Sequence, residues 1–142
     1  MFLSQTASYA LRITAYLASQ PDGVAVSRHD LSEATGVPTA YLSKVCRRLV
    51  LAKLLDSRKG HRGGFSLARE VAAICVSDIL DAVDHPVVNG TCIFTSEKCD
   101  VEPCSLHESW SEQVRSFAHW AKSTTLADVR AAALAGARDG ED

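Results

Sequence analysis

Three cysteines and one histidine lie close together in the C-terminal half of the chain: Cys92, Cys99, Cys104 and His107. Thiolates and imidazole are the ligands that iron–sulfur clusters and zinc ions use in proteins. Structural zinc sites generally use a tighter pair of cysteines than Cys92 and Cys99, which six residues separate. The spacing therefore favours an iron–sulfur cluster, with zinc or a purely thiol-based redox switch as the alternatives.

The other two cysteines have apolar surroundings in the sequence. Cys46 falls on the apolar side of a predicted helix, and Cys75 lies between Ile74 and Val76. Both are predicted to be core residues and not ligands. Because five cysteines cannot all pair in one chain, we expect free thiols in a reducing, cytoplasmic compartment.

Basic residues are concentrated in one part of the chain. The net charge is −2, but residues 1–70 carry +5 and residues 71–142 carry −7. Residues 41–69 hold eight basic side chains and a single acid, Asp56. A concentrated basic segment in an otherwise acidic protein predicts a surface that binds a polyanion, and the alternative is an ordinary solvated surface.

Two short helices joined by a tight turn are predicted within the basic half. Ser27 begins the first helix in the manner of a capping box, and Gly36-Val37-Pro38 ends it. The second helix runs roughly from Thr39 to Ala52. This arrangement is typical of a helix-turn-helix, whose second helix reads the major groove. The residues predicted to face the DNA are Thr39, Ala40, Tyr41, Ser43, Lys44, Arg47 and Arg48.

A glycine-rich basic turn between two short strands follows the second helix, over residues 54–67. Gly60, Gly63 and Gly64 allow the backbone angles of a tight turn and a close approach to a phosphate backbone. A basic hairpin directly after a recognition helix predicts the wing of a winged helix. The wing residues predicted to engage phosphates or a narrowed minor groove are Arg58, Lys59, His61 and Arg62.

A long amphipathic helix is predicted after the cysteines. Trp110, Val114, Phe117 and Ala121 recur at spacings of four, three and four residues. An apolar stripe outside the DNA-binding half must be buried against another surface, and we expect the second subunit of a homodimer to provide it.

The predicted fold class is mainly α with a small β wing. It comprises a winged helix-turn-helix DNA-binding domain and a long C-terminal dimerisation helix. The predicted boundaries are 1–83 for the DNA-binding domain, 84–108 for a cysteine-rich cluster-binding loop, 104–130 for the dimerisation helix and its ending, and 131–142 for a flexible tail.

Several function classes are disfavoured by the sequence. No apolar run approaches the ~20 residues that span a bilayer, and the N-terminal stretch lacks the pattern of a signal peptide. No Cys-x-x-Cys pair, catalytic Ser-His-Asp order or phosphate-binding loop in the sequence supports an enzyme. We therefore predict a protein that is not an enzyme and has no membrane partner.

The chain resembles the Rrf-two (Rrf2) family of bacterial transcription regulators almost from end to end, and in particular its cluster-binding IscR-like and NsrR-like branches. The motifs that carry the resemblance are Leu3-Ser4…Tyr9-Ala10-Leu11-Arg12, Gly36-Val37-Pro38…Tyr41-Leu42-Ser43-Lys44, the wing from Arg58 to Arg69, and Thr124-Thr125-Leu126-Ala127-Asp128. The resemblance implies a homodimer joined through the long helix and a double-stranded DNA operator as partner. It also implies an iron–sulfur cluster that tunes operator affinity, and of the two cluster types 2Fe–2S is favoured over 4Fe–4S.

The resemblance also bears on the ligand set. Cys92, Cys104 and His107 have the spacing of the IscR-like branch, whereas Cys99 comes one residue later than in that branch. In other branches an acidic side chain near position 8 of the partner subunit completes the cluster. Ser8 is a poor iron ligand, which favours His107.

The resemblance implies a repressor that responds to redox, nitric oxide or iron status. The alternative is a cluster-free or zinc-stabilised winged-helix regulator that senses thiol state.

Overall fold

The structure is a computed structural model that describes residues 3–84 and 104–139, with side chains described as far as residue 132. This part of the chain forms six α-helices and one two-stranded antiparallel sheet. The helices are α1 (Gln5–Ser19), α2 (Arg28–Thr35), α3 (Thr39–Leu51), α4 (Val76–Val83), α5 (His107–Ser123) and α6 (Leu126–Asp139), the strands are β1 (Leu55–Arg58) and β2 (Gly64–Leu67), and a 3₁₀ turn covers Val71–Ala73. The predicted fold class, mainly α with a small β wing, is confirmed.

α1 is the central helix of the core. It packs against α2, α3, α4 and α6, and its buried residues include Ala10, Ile13 and Leu17. Removal of these apolar side chains from water, at roughly 25 cal/mol per Å², is the main force that holds the helices together. Ser4 begins α1, because its hydroxyl oxygen accepts a hydrogen bond of 3.0 Å from the Ala7 amide.

The predicted turn between α2 and α3 is present. Gly36 ends α2 in the left-handed conformation, with φ of 67°. The Ser32 hydroxyl donates to the Val37 carbonyl at 2.7 Å, which holds the turn against α2. At the other end of α2, the Asp30 amide donates to the Ser27 hydroxyl oxygen at 3.1 Å, as the capping-box pattern predicts.

The wing is attached to the helices by a third stretch of extended backbone. β1 and β2 pair antiparallel from Leu55 opposite Leu67. Val26, in the segment between α1 and α2, exchanges two hydrogen bonds of 2.9 Å with Phe65 of β2. This bridge fixes the orientation of the wing relative to α2 and α3.

The C-terminal helices are tied to the DNA-binding part of the chain. α5 packs against α4, and α6 packs against α1. An isolated antiparallel bridge joins Cys75, at the start of α4, to Thr125, at the start of α6. Val114 and Ala121 of the predicted apolar stripe are buried within the subunit itself. Because α5 packs on α4, these two residues are already covered without a partner subunit.

α6 extends further than the sequence analysis predicts. It continues to Asp139, inside the segment 131–142 for which a flexible tail is predicted. Residues 131–137 are rich in alanine, which has the highest helix propensity of any residue. The segment 104–130 contains α5 and the first part of α6, which are separated at Thr124 and Thr125. No helix in the described part of the chain is long and apolar enough to cross a membrane.

Candidate nucleic-acid interface and metal ligands

α3 presents a polar face to solvent and an apolar face to the core. Leu42, Val45 and Leu49 are buried, because their three- and four-residue spacing places them on the side that faces α1 and α2. Most of the predicted DNA-facing residues are exposed, and Ser43 is half-buried. The exposed members of the predicted set are Thr39, Ala40, Tyr41, Lys44, Arg47 and Arg48.

The wing carries its basic residues on an exposed, tightly closed turn. The Gly63 amide donates to the Gly60 carbonyl at 3.0 Å. Gly60 has φ of 104°, and a Cβ on Gly63 would lie 2.4 Å from the Arg58 carbonyl oxygen. The turn therefore depends on glycine at both positions. All four predicted wing residues are exposed: Arg58, Lys59, His61 and Arg62.

A cleft of about 570 Å³ separates the wing from the start of α2 and α3. Arg28 and His29 line one side of it, and Arg58 and Lys59 line the other, with Thr39 also at its edge. Cationic and hydrogen-bonding side chains on both sides of a cleft suit the phosphate groups of a nucleic acid. Arg28 and His29 were not among the predicted DNA-facing residues, although their place directly after the capping residue of α2 indicates a phosphate contact.

Two residues of the predicted recognition face contact other parts of the chain. The ring of Tyr41 lies 6.0 Å from the ring of Tyr9 in α1, at an interplanar angle of 57°. The guanidinium of Arg12 lies 6.0 Å from the centre of the same Tyr9 ring. Arg48 donates through Nη1 to the backbone carbonyl of Val83, the last residue of α4. These contacts connect α3 to α1 and α4.

Two of the four predicted metal ligands lie in the described part of the chain. Cys104 is a half-buried free thiol, and His107 is the exposed first residue of α5. The His107 amide donates to the Cys104 carbonyl at 3.2 Å, so the two residues belong to the same turn at the start of the helix. Cys92 and Cys99 lie outside the described residues. Among those that are described, no three His, Cys, Asp or Glu side chains form a group that could hold a metal ion.

The two remaining cysteines lie in the folded part of the molecule. Cys46 is fully buried in the core between α3 and its neighbours. Burial raises the pKa of the Cys46 thiol to about 12, although the positive charge of Arg28 opposes the shift. Cys75 is half-buried at the start of α4, where its amide donates to the Asp78 carboxylate at 2.9 Å. Cys46 is therefore a core residue, as predicted, whereas Cys75 is only half-buried because it lies at the start of a helix.

The chain is similar to known transcriptional regulators in sequence and in fold. The Rrf2 family, described as an iron-dependent transcriptional regulator, matches residues 3–132. An HTH-type transcriptional regulator of Aquifex aeolicus (strain VF5) is 33% identical over 132 residues, which cover 91% of each chain. Among solved structures, CymR, the global cysteine regulator of B. subtilis, has a TM-score of 0.79 at 24% identity, covering 92% of this chain and 97% of that one. IscR of T. potens has a TM-score of 0.75 at 26% identity, covering 100% of this chain and 92% of that one.

Proposed function

Because this chain belongs to the Rrf2 family of DNA-binding transcriptional regulators, we propose that it binds a double-stranded operator as a homodimer whose affinity an iron–sulfur cluster controls. Its relatives and structural neighbours are regulators and not enzymes, as the sequence analysis predicts. The observation that carries the DNA-binding part is the basic cleft between the wing and α2. Cationic groups from two separate elements line this one cleft.

The recognition helix and the wing have separate tasks in this proposal. The exposed residues at the start of α3 read base edges in the major groove. Arg47, about two turns later on the same helix, contacts phosphates or base edges. The wing residues Arg58, Lys59, His61 and Arg62 engage phosphates or a narrowed minor groove. Arg28 and His29 contact the phosphate backbone at the other side of the cleft. Such contacts fix the register of the protein on the duplex, whereas α3 supplies sequence specificity.

The homodimer is proposed from the exposed part of α5. Trp120 is 46% exposed, an unusual fraction for a large aromatic side chain, and its ring lies 5.6 Å from that of Phe117. Aromatic side chains of this kind anchor protein interfaces. In the sequence, α5 also follows the segment that contains Cys92, Cys99 and Cys104 directly. A second subunit docked on α5 would therefore lie next to the proposed cluster ligands.

The cluster ligands are proposed to be Cys92, Cys99, Cys104 and His107. The donor set fits such a group, because three thiolates and an imidazole match the ligands that iron–sulfur clusters use. The turn that joins Cys104 to His107 keeps two of the four donors close together at the start of α5. The description of the family as iron-dependent and the similarity to IscR support the proposal. When bound, the cluster supplies a group that redox change, nitric oxide or loss of iron can alter.

Anaerobic purification followed by visible absorption spectroscopy, with iron and sulfide counts, tests the cofactor. We expect a coloured protein that contains iron and sulfide in similar amounts. A colourless, sulfide-free protein that contains zinc or no metal would contradict the proposal and indicate the thiol-sensing or zinc-stabilised alternative.

Variants of His107 test the fourth ligand. His107→Ala should release iron and sulfide faster than the unmutated protein, and His107→Cys should have a changed absorption spectrum and reduction potential. The matched control is His119→Ala, which removes another exposed histidine of the same helix and should behave as the unmutated protein. Unchanged spectra and iron retention in both His107 variants would exclude His107 as a ligand.

A further inference from the structure

The side chain of Arg48 reaches from the recognition helix to the end of another helix. Arg48 lies near the C-terminal end of α3, and its Nη1 donates to the carbonyl oxygen of Val83. Val83 is the last residue of α4, and the last carbonyls of a helix have no partner within the helix. A cation is also favoured at this negative end of the helix dipole. The contact therefore gives Arg48 a role within the protein.

The next residue of the chain ties the same helix end to α1. The Asp84 carboxylate accepts a hydrogen bond from the hydroxyl of Ser4, the capping residue of α1. The Asp84 amide donates to the Leu80 carbonyl at 2.9 Å, which closes the last turn of α4. Two consecutive residues at the end of α4 thus connect it to α3 on one side and to α1 on the other. We call this set of contacts, made by Ser4, Arg48, Val83 and Asp84, the α4 junction.

Arg47 has a different environment although it is adjacent in the sequence. It is exposed, and within the described part of the chain it has no hydrogen bond or ion pair. An exposed guanidinium that makes no such contact with the described residues can reach phosphates or base edges, whereas one that caps a helix end is already engaged. Adjacent arginines of one helix thus differ in environment: Arg47 is exposed, and Arg48 is bonded to the end of α4.

We propose that Arg48 is a positioning residue, which sets the orientation of α3 by holding it to the end of α4, and that it does not contact DNA. This positioning role does not rest on the proposed cluster function.

Salt-dependent DNA binding separates the two roles. The probes are a duplex selected by the unmutated protein from a random library and a scrambled duplex of the same length. Arg47→Ala should weaken binding to both duplexes and lower the slope of log K against log salt, by about one unit for a lost phosphate contact. Arg48→Ala should weaken binding to the selected duplex about tenfold, as expected for the loss of a charge-assisted hydrogen bond. Its salt slope and its affinity for the scrambled duplex should not change.

Three outcomes would overturn the positioning role. The first is that Arg48→Ala lowers the slope of log K against log salt by about one unit and weakens binding to both duplexes equally, as the loss of a DNA contact would. The second is unchanged binding of both duplexes by a folded Arg48→Ala protein. The third is a rise in DNA affinity in Asp84→Ala, a second variant that tests the α4 junction if Arg48→Ala does not fold. Loss of an acidic group should raise DNA affinity if only charge matters, whereas loss of the α4 junction should lower affinity for the selected duplex by about threefold. A rise would contradict the proposal.

Discussion

Gly64 lies against the backbone of Val26 so closely that a Cβ on Gly64 would be 2.1 Å from the Val26 carbonyl oxygen. Gly64 also has φ of 155°, a value that residues with a side chain rarely adopt. It begins β2, next to the Phe65 amide that donates to the same Val26 carbonyl. The position of the basic wing therefore depends on the absence of a side chain at residue 64.

Gly64→Ala should detach the wing from the helices and lower operator affinity. The methyl group collides with backbone, which cannot move aside as a flexible side chain can, so we expect a destabilisation of about 2 kcal/mol or more. Gly60→Ala is the matched control, because a Cβ there meets nothing within 4 Å and only its positive φ is strained. Urea unfolding should rank Gly64→Ala as the less stable variant. Equal stability of the two would show that the contact with Val26 does not hold the wing.

Arg62 of the wing should contribute to DNA binding through phosphates. Arg62→Ala should weaken binding to selected and scrambled duplexes alike, and lower the slope of log K against log salt by roughly one unit. Lys122→Ala, which removes an exposed cation from α5 instead, should leave the slope unchanged. Fluorescence anisotropy titrations at several salt concentrations measure both slopes. A normal slope for Arg62→Ala would mean that this residue does not contact DNA.

The Cys46 thiol should be unreactive in the folded protein. Its pKa of about 12 and its complete burial keep it protonated and inaccessible near pH 8. Iodoacetamide followed by mass spectrometry should therefore modify Cys104 before Cys46 in metal-free protein. Cys46 should react only after unfolding. Labelling of both at similar rates in folded protein would contradict the buried position.

The raised pKa of Cys46 also predicts how stability depends on pH. The folded state retains the proton, whereas the unfolded thiol ionises near its ordinary value of 9.0. The contribution of this thiol to stability is therefore complete below pH 9 and is lost as the pH rises toward about 12. Cys46→Ala, which has no ionisable group at this position, should lose less stability than the unmutated protein over the same pH range. Thermal unfolding between pH 8 and pH 11 measures this difference.

Trp120 should stabilise the proposed homodimer. Trp120→Ala removes a large exposed aromatic group from α5, and we expect the dimer dissociation constant to rise at least tenfold if Trp120 is an interface anchor. Leu51→Ala is the control, because Leu51 is 73% exposed but lies on α3. Sedimentation at micromolar concentration should find the unmutated protein and Leu51→Ala dimeric. A monomeric unmutated protein would exclude the homodimer.

Local signals in the sequence predicted most of the DNA-binding fold. Ser27 was predicted to begin a helix, and its hydroxyl oxygen accepts a hydrogen bond from the Asp30 amide three residues later. Gly36 was predicted to end α2, and it has the left-handed conformation that favours glycine there. These features depend on residues only a few positions apart, so the residue type alone indicates them.

Contacts between distant residues could not be predicted in the same way. The hydrogen bond from Arg48 to Val83 crosses 35 positions of the sequence, and Arg48 otherwise fits the pattern of a DNA-facing residue. The burial of Val114 likewise depends on how α5 packs against α4. The cleft between Arg28 and the wing also depends on tertiary contacts, among them the pairing of Val26 with Phe65. Periodicity identifies an apolar face, but it does not identify the surface that covers it.

The most direct test of the central claim is the operator affinity of one protein preparation before and after removal of its iron. The protein is purified anaerobically, its iron and sulfide are counted, and binding to the selected duplex is measured in both forms at the same salt concentration. A cluster that favours one arrangement of the dimer should change the dissociation constant about 5- to 150-fold. Equal affinities of the loaded and iron-free forms, with loading and removal verified by the counts, would contradict the account.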